Sequence, residues 1–86
     1  MANWKKILSG MRANPQDWRI GQIETVAKRY GINIRKGCGS HVIFEHPGLV
    51  EMLSVPAHCP VKPIYVRKFL VLVDKVNEKN QTQGLG

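Results

Sequence analysis

The residues able to do chemistry gather in two short stretches. KGCGSHVIFEHPGL, residues 36–49, carries Cys38, Ser40, His41 and His46, and VPAHCP, residues 55–60, carries His58 and Cys59. Cysteine with histidine raises zinc binding first. Cys38-x2-His41 has the spacing of one ligand pair, but a zinc site takes a second, separated pair, and adjacent His58-Cys59 is a poor one. The expectation is no metal and no cofactor. Proton transfer is the other chemistry. Histidine, with an ordinary pKa of about 6.5, gives and takes protons near neutral pH. His41 opens an apolar run and is either such a group or a plain strand-end residue. His46 precedes Pro47 in a turn and reads as structural. Cys38 reads as a small turn residue, with a catalytic thiol as its alternative. No second base lies beside Ser40, so it takes no nucleophilic role.

Charge says what would meet such a group. The chain has 13 Lys+Arg against 6 Asp+Glu, a net charge of +7. A chain this basic attracts a polyanion, meaning nucleic acid or an acidic protein that competes for the same surface. The alternative is a solvated basic surface that aids solubility. Lys28, Arg29, Arg35, Lys36, Lys62, Arg67 and Lys68 would form an electrostatic track for a phosphate backbone, although each singly is also an ordinary surface charge. No aromatic ladder for stacking successive bases is visible, and Trp4 and Trp18 read as core or hinge aromatics.

The elements that must position these groups follow from length and period. At 86 residues the chain holds one domain with a modest core. No apolar run approaches the ~20 residues that span a bilayer. The N-terminal stretch has neither the continuous apolar segment nor the small-residue cleavage site of a signal peptide. The expected location is cytoplasmic, with Cys38 and Cys59 as free thiols and one bridge left open.

Trp4, Ile7, Leu8 and Met11 fall at i, i+3, i+4 and i+7, which predicts a first helix. Asn3 is its candidate N-cap and Asn14-Pro15 its stop, while Gly10 counts against a long helix. Ile23, Val26, Ala27 and Tyr30 predict a second helix, with Gly31 at a left-handed C-cap position. The period then changes. Ile32 and Ile34 alternate with Asn33 and Arg35, as in a strand. GCG is a turn, and SHVIFEH is a second strand with Val42 and Phe44 on one face and His41, Ile43 and Glu45 on the other. EMLSVP is a third strand that Pro56 ends. Connections this short favour antiparallel neighbours. Pro63 suits the first position of a last helix, whose buried stripe is Tyr65, Phe69, Leu72, Val73 and Val76, widened by Val66 and Leu70. NQTQGLG reads as a disordered tail. The predicted fold is α+β, a three-stranded antiparallel sheet packed against helices in the order α-α-β-β-β-α. The sheet face with Asn33, Arg35, His41, Ile43 and Glu45 stays open.

GSHVIFEHPG, then LSVPAH, then VKPIYVRKFL resemble the HicA family of bacterial toxins. The usual family pattern is a helix ending in Gly, a strand, Gly-Ser-His-His-x-Phe, a His-Pro turn, a strand ending in Val-Pro-x-His, and a helix begun near Pro. Each piece occurs here in order and with the expected spacing, and the resemblance covers roughly Ile20 to Val76. One departure is Val42, where the family often has a second histidine. Alternation turns position 42 towards the helices, where an apolar residue fits.

The resemblance implies a double-stranded-RNA-binding-domain-like fold over 20–77, with 1–19 as an N-terminal helical extension and 78–86 as the tail. It implies the toxin of a type II toxin–antitoxin system, an endoribonuclease that cleaves mRNA without a metal and blocks translation. Its partner would be a HicB-like antitoxin covering the active site. The alternative is a non-catalytic RNA-binding module of the same fold. The family's catalytic histidine falls on His41. RNA cleavage needs a base for the 2′-OH proton and an acid for the leaving 5′-oxygen. His58, in the Val-Pro-x-His element, is the first choice for the second group, ahead of water, Tyr65 or a lysine, and is otherwise a loop histidine. The phosphate gains negative charge on attack, which Arg35, Lys36 and Lys62 would offset. Gly37 and Gly39 would let the backbone approach a phosphate, or serve simply as turn residues. Ser40 would bond the turn backbone or a phosphate.

Overall fold

The helical spacing at the N-terminus is realised as α1, Trp4–Ala13, which buries Leu8 and Met11. The structure, a computed structural model, describes residues 4–37, 39–57 and 60–85. Asn3, Cys38, His58 and Cys59 fall outside them, and with them the N-cap, thiol and second-histidine expectations. Past α1 the Asn14 amide still donates to the Gly10 carbonyl at 2.8 Å. Pro15 has no N–H to continue the ladder. Asp17 then takes φ 64°, in the left-handed region, and the chain reverses. Trp18 comes back over α1, its Nε1 donating to the Asn14 carbonyl at 2.6 Å. A Cβ on Gly10 would lie 2.7 Å from the Trp18 ring. Gly10, a weak helix former, is therefore the place where the tryptophan lies against the helix.

Helix α2 spans Ile20–Arg29. Its first turn is closed by Gln22, whose Oε1 accepts from the Arg19 amide at 2.9 Å. Its end is a Schellman motif. Ile32 N donates to Ala27 O at 2.9 Å, Gly31 N donates to Lys28 O at 3.3 Å, and Gly31 has φ 71°. This exit drops Ile32 into the core and starts the sheet.

Strands β1 (Asn33–Lys36), β2 (His41–Glu45) and β3 (Met52–Pro56) form an antiparallel sheet with β2 in the middle. The registers Ile34↔Phe44, Val42↔Val55 and Phe44↔Leu53 put these residues on one face, against the helices. Arg35, His41, Ile43, Glu45, Met52, Ser54 and Pro56 point the other way. Helix α3, Pro63–Leu85, buries Val66, Phe69, Leu70, Leu72, Val73 and Val76. Phe44 and Phe69 meet across the layers with ring centroids 5.4 Å apart. Each such side chain contributes about 1.5–3 kcal/mol on burial. The exposed Arg12–Asp74 pair between α1 and α3, at 2.5 Å, contributes about 0–1 kcal/mol, so apolar packing dominates.

The α+β layout and its order are those expected. Three details differ. Tyr65 is only half-buried, because Val66 takes the core position one turn before Phe69 and Leu70. Helix α3 runs on through residues 78–85, over the segment read as a disordered tail. Glu, Lys and Gln favour helix there, and the first glycine comes only at Gly84. The segment read as an extension is also part of the body: Leu8 and Met11 of α1 lie in the same core as α2 and α3. Among the described residues, no helix is long and apolar enough to cross a membrane.

Candidate functional site

His41 is the first residue of β2 and lies on the sheet face turned from the core, while its neighbour Val42 is 5% exposed. Backbone bonds on both sides hold it in place. The His41 carbonyl accepts from the Gly37 amide at 2.9 Å, and the Ser40 carbonyl accepts from the Ala57 amide. Gly39, with φ 66°, makes the turn that leads in. A side chain at that dihedral would be strained, so Gly39 acts through backbone conformation.

Across the ladder His41 pairs with Pro56. Beyond β3 the chain returns through Pro60, Val61 and Lys62 to the start of α3. His41, Pro56, Pro60, Lys62 and Tyr65 line one cleft of about 320 Å³. Val61 anchors this return: it is 2% exposed, and its amide donates to the Trp18 carbonyl at 2.7 Å. Lys62 is the N-cap residue of α3, its carbonyl accepting from the Tyr65 amide at 3.0 Å and the Val66 amide at 3.3 Å. The cleft is thus bordered by the N-terminus of a long helix, with no acidic residue in its first turn. The helix dipole and the Lys62 ammonium both favour an anion there.

The other expected site residues are distributed differently. Arg35 lies on the His41 side of the sheet, but its guanidinium turns to Glu45, with Nε 3.0 Å from Oε1. Glu45 is four residues along β2 from His41, roughly 13 Å at strand rise. The structure therefore does not bring Arg35 to the cleft. Lys36 pairs with Val42 and so belongs to the opposite sheet face, at its exposed end. Gly39 and Ser40 are exposed in the turn beside His41, outside the cleft lining. His46 is held in its own turn, where Nδ1 accepts from the Gly48 amide at 2.9 Å. Among the described residues, no three of His, Cys, Asp and Glu are grouped as a metal would require.

Tyr65, a core-stripe position by its spacing, is half-buried and lines the cleft. The signal was available in the spacing. Val66, Phe69, Leu70 and Val73 already complete one helical face, which leaves Tyr65 at its edge, in the first turn after Lys62. Lys68 Nζ lies 6.0 Å from the centroid of the Tyr65 ring, within cation–π range.

In comparison with known proteins, the chain matches no family model, no curated protein and no solved structure.

Proposed function

We propose that this chain is a HicA-like endoribonuclease, a toxin that cleaves mRNA without a metal ion in the cytoplasm and is neutralised by a HicB-like antitoxin. The observation that supports it best is that His41 and Lys62 line one open cleft at the N-terminus of α3. His41 takes the 2′-OH proton, the 2′-oxygen attacks the adjacent phosphorus, and the bond to the 5′-oxygen breaks. A second group returns a proton to that oxygen, leaving a cyclic phosphate and a free 5′-hydroxyl. Lys62 and the helix N-terminus offset the charge that builds on the phosphate. Val42 in place of a second histidine fits this reading, because its side chain points into the core.

Substitution of His41 is the test. His41→Ala is expected to lower cleavage of mRNA by about 10²–10⁴-fold, the usual scale of acid–base catalysis, and to abolish growth arrest. EDTA is expected to leave wild-type activity intact, and a HicB-like protein to form a tight 1:1 complex that stops cleavage. Undiminished cleavage by His41→Ala, or its loss in EDTA, overturns the reading. A wild type that binds RNA with steep salt dependence and never cleaves it would be the binding module instead.

A further inference from the structure

We propose that the cleft beside His41 is a single-nucleotide subsite in which Tyr65, Pro56 and Pro60 receive an unpaired base while Lys62 holds its phosphate. The proposal rests on the RNA-cleaving reading of His41 and adds which residues position the substrate and in what state the RNA must arrive.

Size is the first reason. Ligand pockets generally run from about 300 to 1,000 Å³. At about 320 Å³ the cleft is at the small end of that range, a size that suits one base with its sugar. Lining is the second. Two prolines and a tyrosine ring form the apolar part, and Lys62 with the α3 N-terminus forms the cationic part. A nucleotide has the same division, with a flat apolar face on the base and an anion on the sugar. Rigidity is the third. The Tyr65 amide donates to the Lys62 carbonyl, so one turn of α3 fixes the backbone positions from which the stacking side chain and the phosphate-holding side chain project.

Two consequences follow. In an A-form duplex the bases are stacked inside and protein meets mainly backbone and minor groove, so a base reaches this cleft only after leaving the stack. Single-stranded RNA is therefore the substrate form, although the HicA resemblance implies a fold of the double-stranded-RNA-binding kind. Every base also has a π-face, so a tyrosine platform selects little among sequences.

The experiment compares wild type, Tyr65→Phe and Tyr65→Leu on an unstructured RNA oligonucleotide and on the same sequence in a blunt duplex. The single strand is expected to be cleaved at least about tenfold faster, since stacking on an aromatic side chain is available only to an unpaired base. Tyr65→Leu is expected to raise KM about tenfold with kcat little changed, and Tyr65→Phe to restore KM to within about twofold, because the ring rather than the hydroxyl carries the contact. A purely structural role for Tyr65 would not produce that split at equal thermal stability. Equal cleavage of duplex and single strand, or a folded Tyr65→Leu with wild-type KM, overturns the proposal. If Tyr65→Leu does not fold, the strand comparison on wild type decides alone. If wild type cleaves neither RNA, the nuclease reading falls separately. The subsite is then decided by fluorescence anisotropy, with preference for the single strand supporting it and equal affinity overturning it.

Discussion

The amide of Val61 donates to the carbonyl of Trp18 at 2.7 Å, a lone antiparallel bridge between two loops far apart in the chain. Val61 is buried, and the next residue is Lys62, the cation of the cleft. Trp18 in turn is packed over Gly10 of α1. The position of Lys62 thus depends on residues 1–19, the segment expected to be an extension.

Gly10 and Gly21 should respond oppositely to alanine. Ala exceeds Gly in helix propensity by about 1 kcal/mol. At Gly21 nothing lies within 4 Å of an added Cβ, so Gly21→Ala should gain most of that. At Gly10 the added Cβ meets the Trp18 ring, which its own hydrogen bond holds in place. Overpacking of this kind costs about 1–3 kcal/mol, so Gly10→Ala should lower stability on balance. Urea unfolding followed by circular dichroism reads both. A Gly10→Ala midpoint at or above wild type would mean that Trp18 does not lie over α1.

Val42→His, which brings in the histidine pair of the HicA pattern, should not improve the proposed RNA cleavage. Position 42 is 5% exposed and faces the helices beside Phe44 and Val55. An imidazole there loses water without a built partner, at a cost of about 1–3 kcal/mol. The expected result is a lower melting temperature with unchanged or reduced RNA cleavage per folded molecule. A rise in kcat would show that the second histidine reaches the reacting phosphate.

Arg35 and Lys62 should differ as RNA contacts. Arg35 is already engaged by Glu45, and Lys62 lines the cleft. On a single strand each phosphate contact contributes about 0.7 to the slope of log K against log salt. Lys62→Gln should reduce that slope by about 0.7, and Arg35→Gln by clearly less. Affinity titrations across salt concentrations measure it. Equal losses would mean that Arg35 leaves Glu45 for RNA.

Asp17 tests the turn that returns Trp18. Its φ of 64° is a left-handed conformation that Asp tolerates and a β-branched residue does not. Asp17→Val should cost about 1–2 kcal/mol, and Asp17→Gly should be neutral or slightly stabilising. The urea midpoint distinguishes them, and a Val variant as stable as wild type would sink the left-handed assignment.

The element order, the strand faces and most of the core were legible in the residues, because their causes are local. A 3.6-residue period marks Ile23, Val26 and Ala27, a period of two separates His41 from Val42, and Gly31 in a left-handed cap ends α2. The length of α3 was less legible, since residues 78–85 have good helix formers but no apolar period to announce them. The HicA resemblance pointed to His41 and, more distantly, to His58. Local pattern therefore sets which face His41 occupies and how the chain is segmented. Packing brings Lys62 and Tyr65 to His41 in one cleft, turns Arg35 instead to Glu45, and anchors the return at Val61 on Trp18. These relations join residues that are adjacent only after the sheet and helices have packed, and spacing along the chain cannot encode that distance.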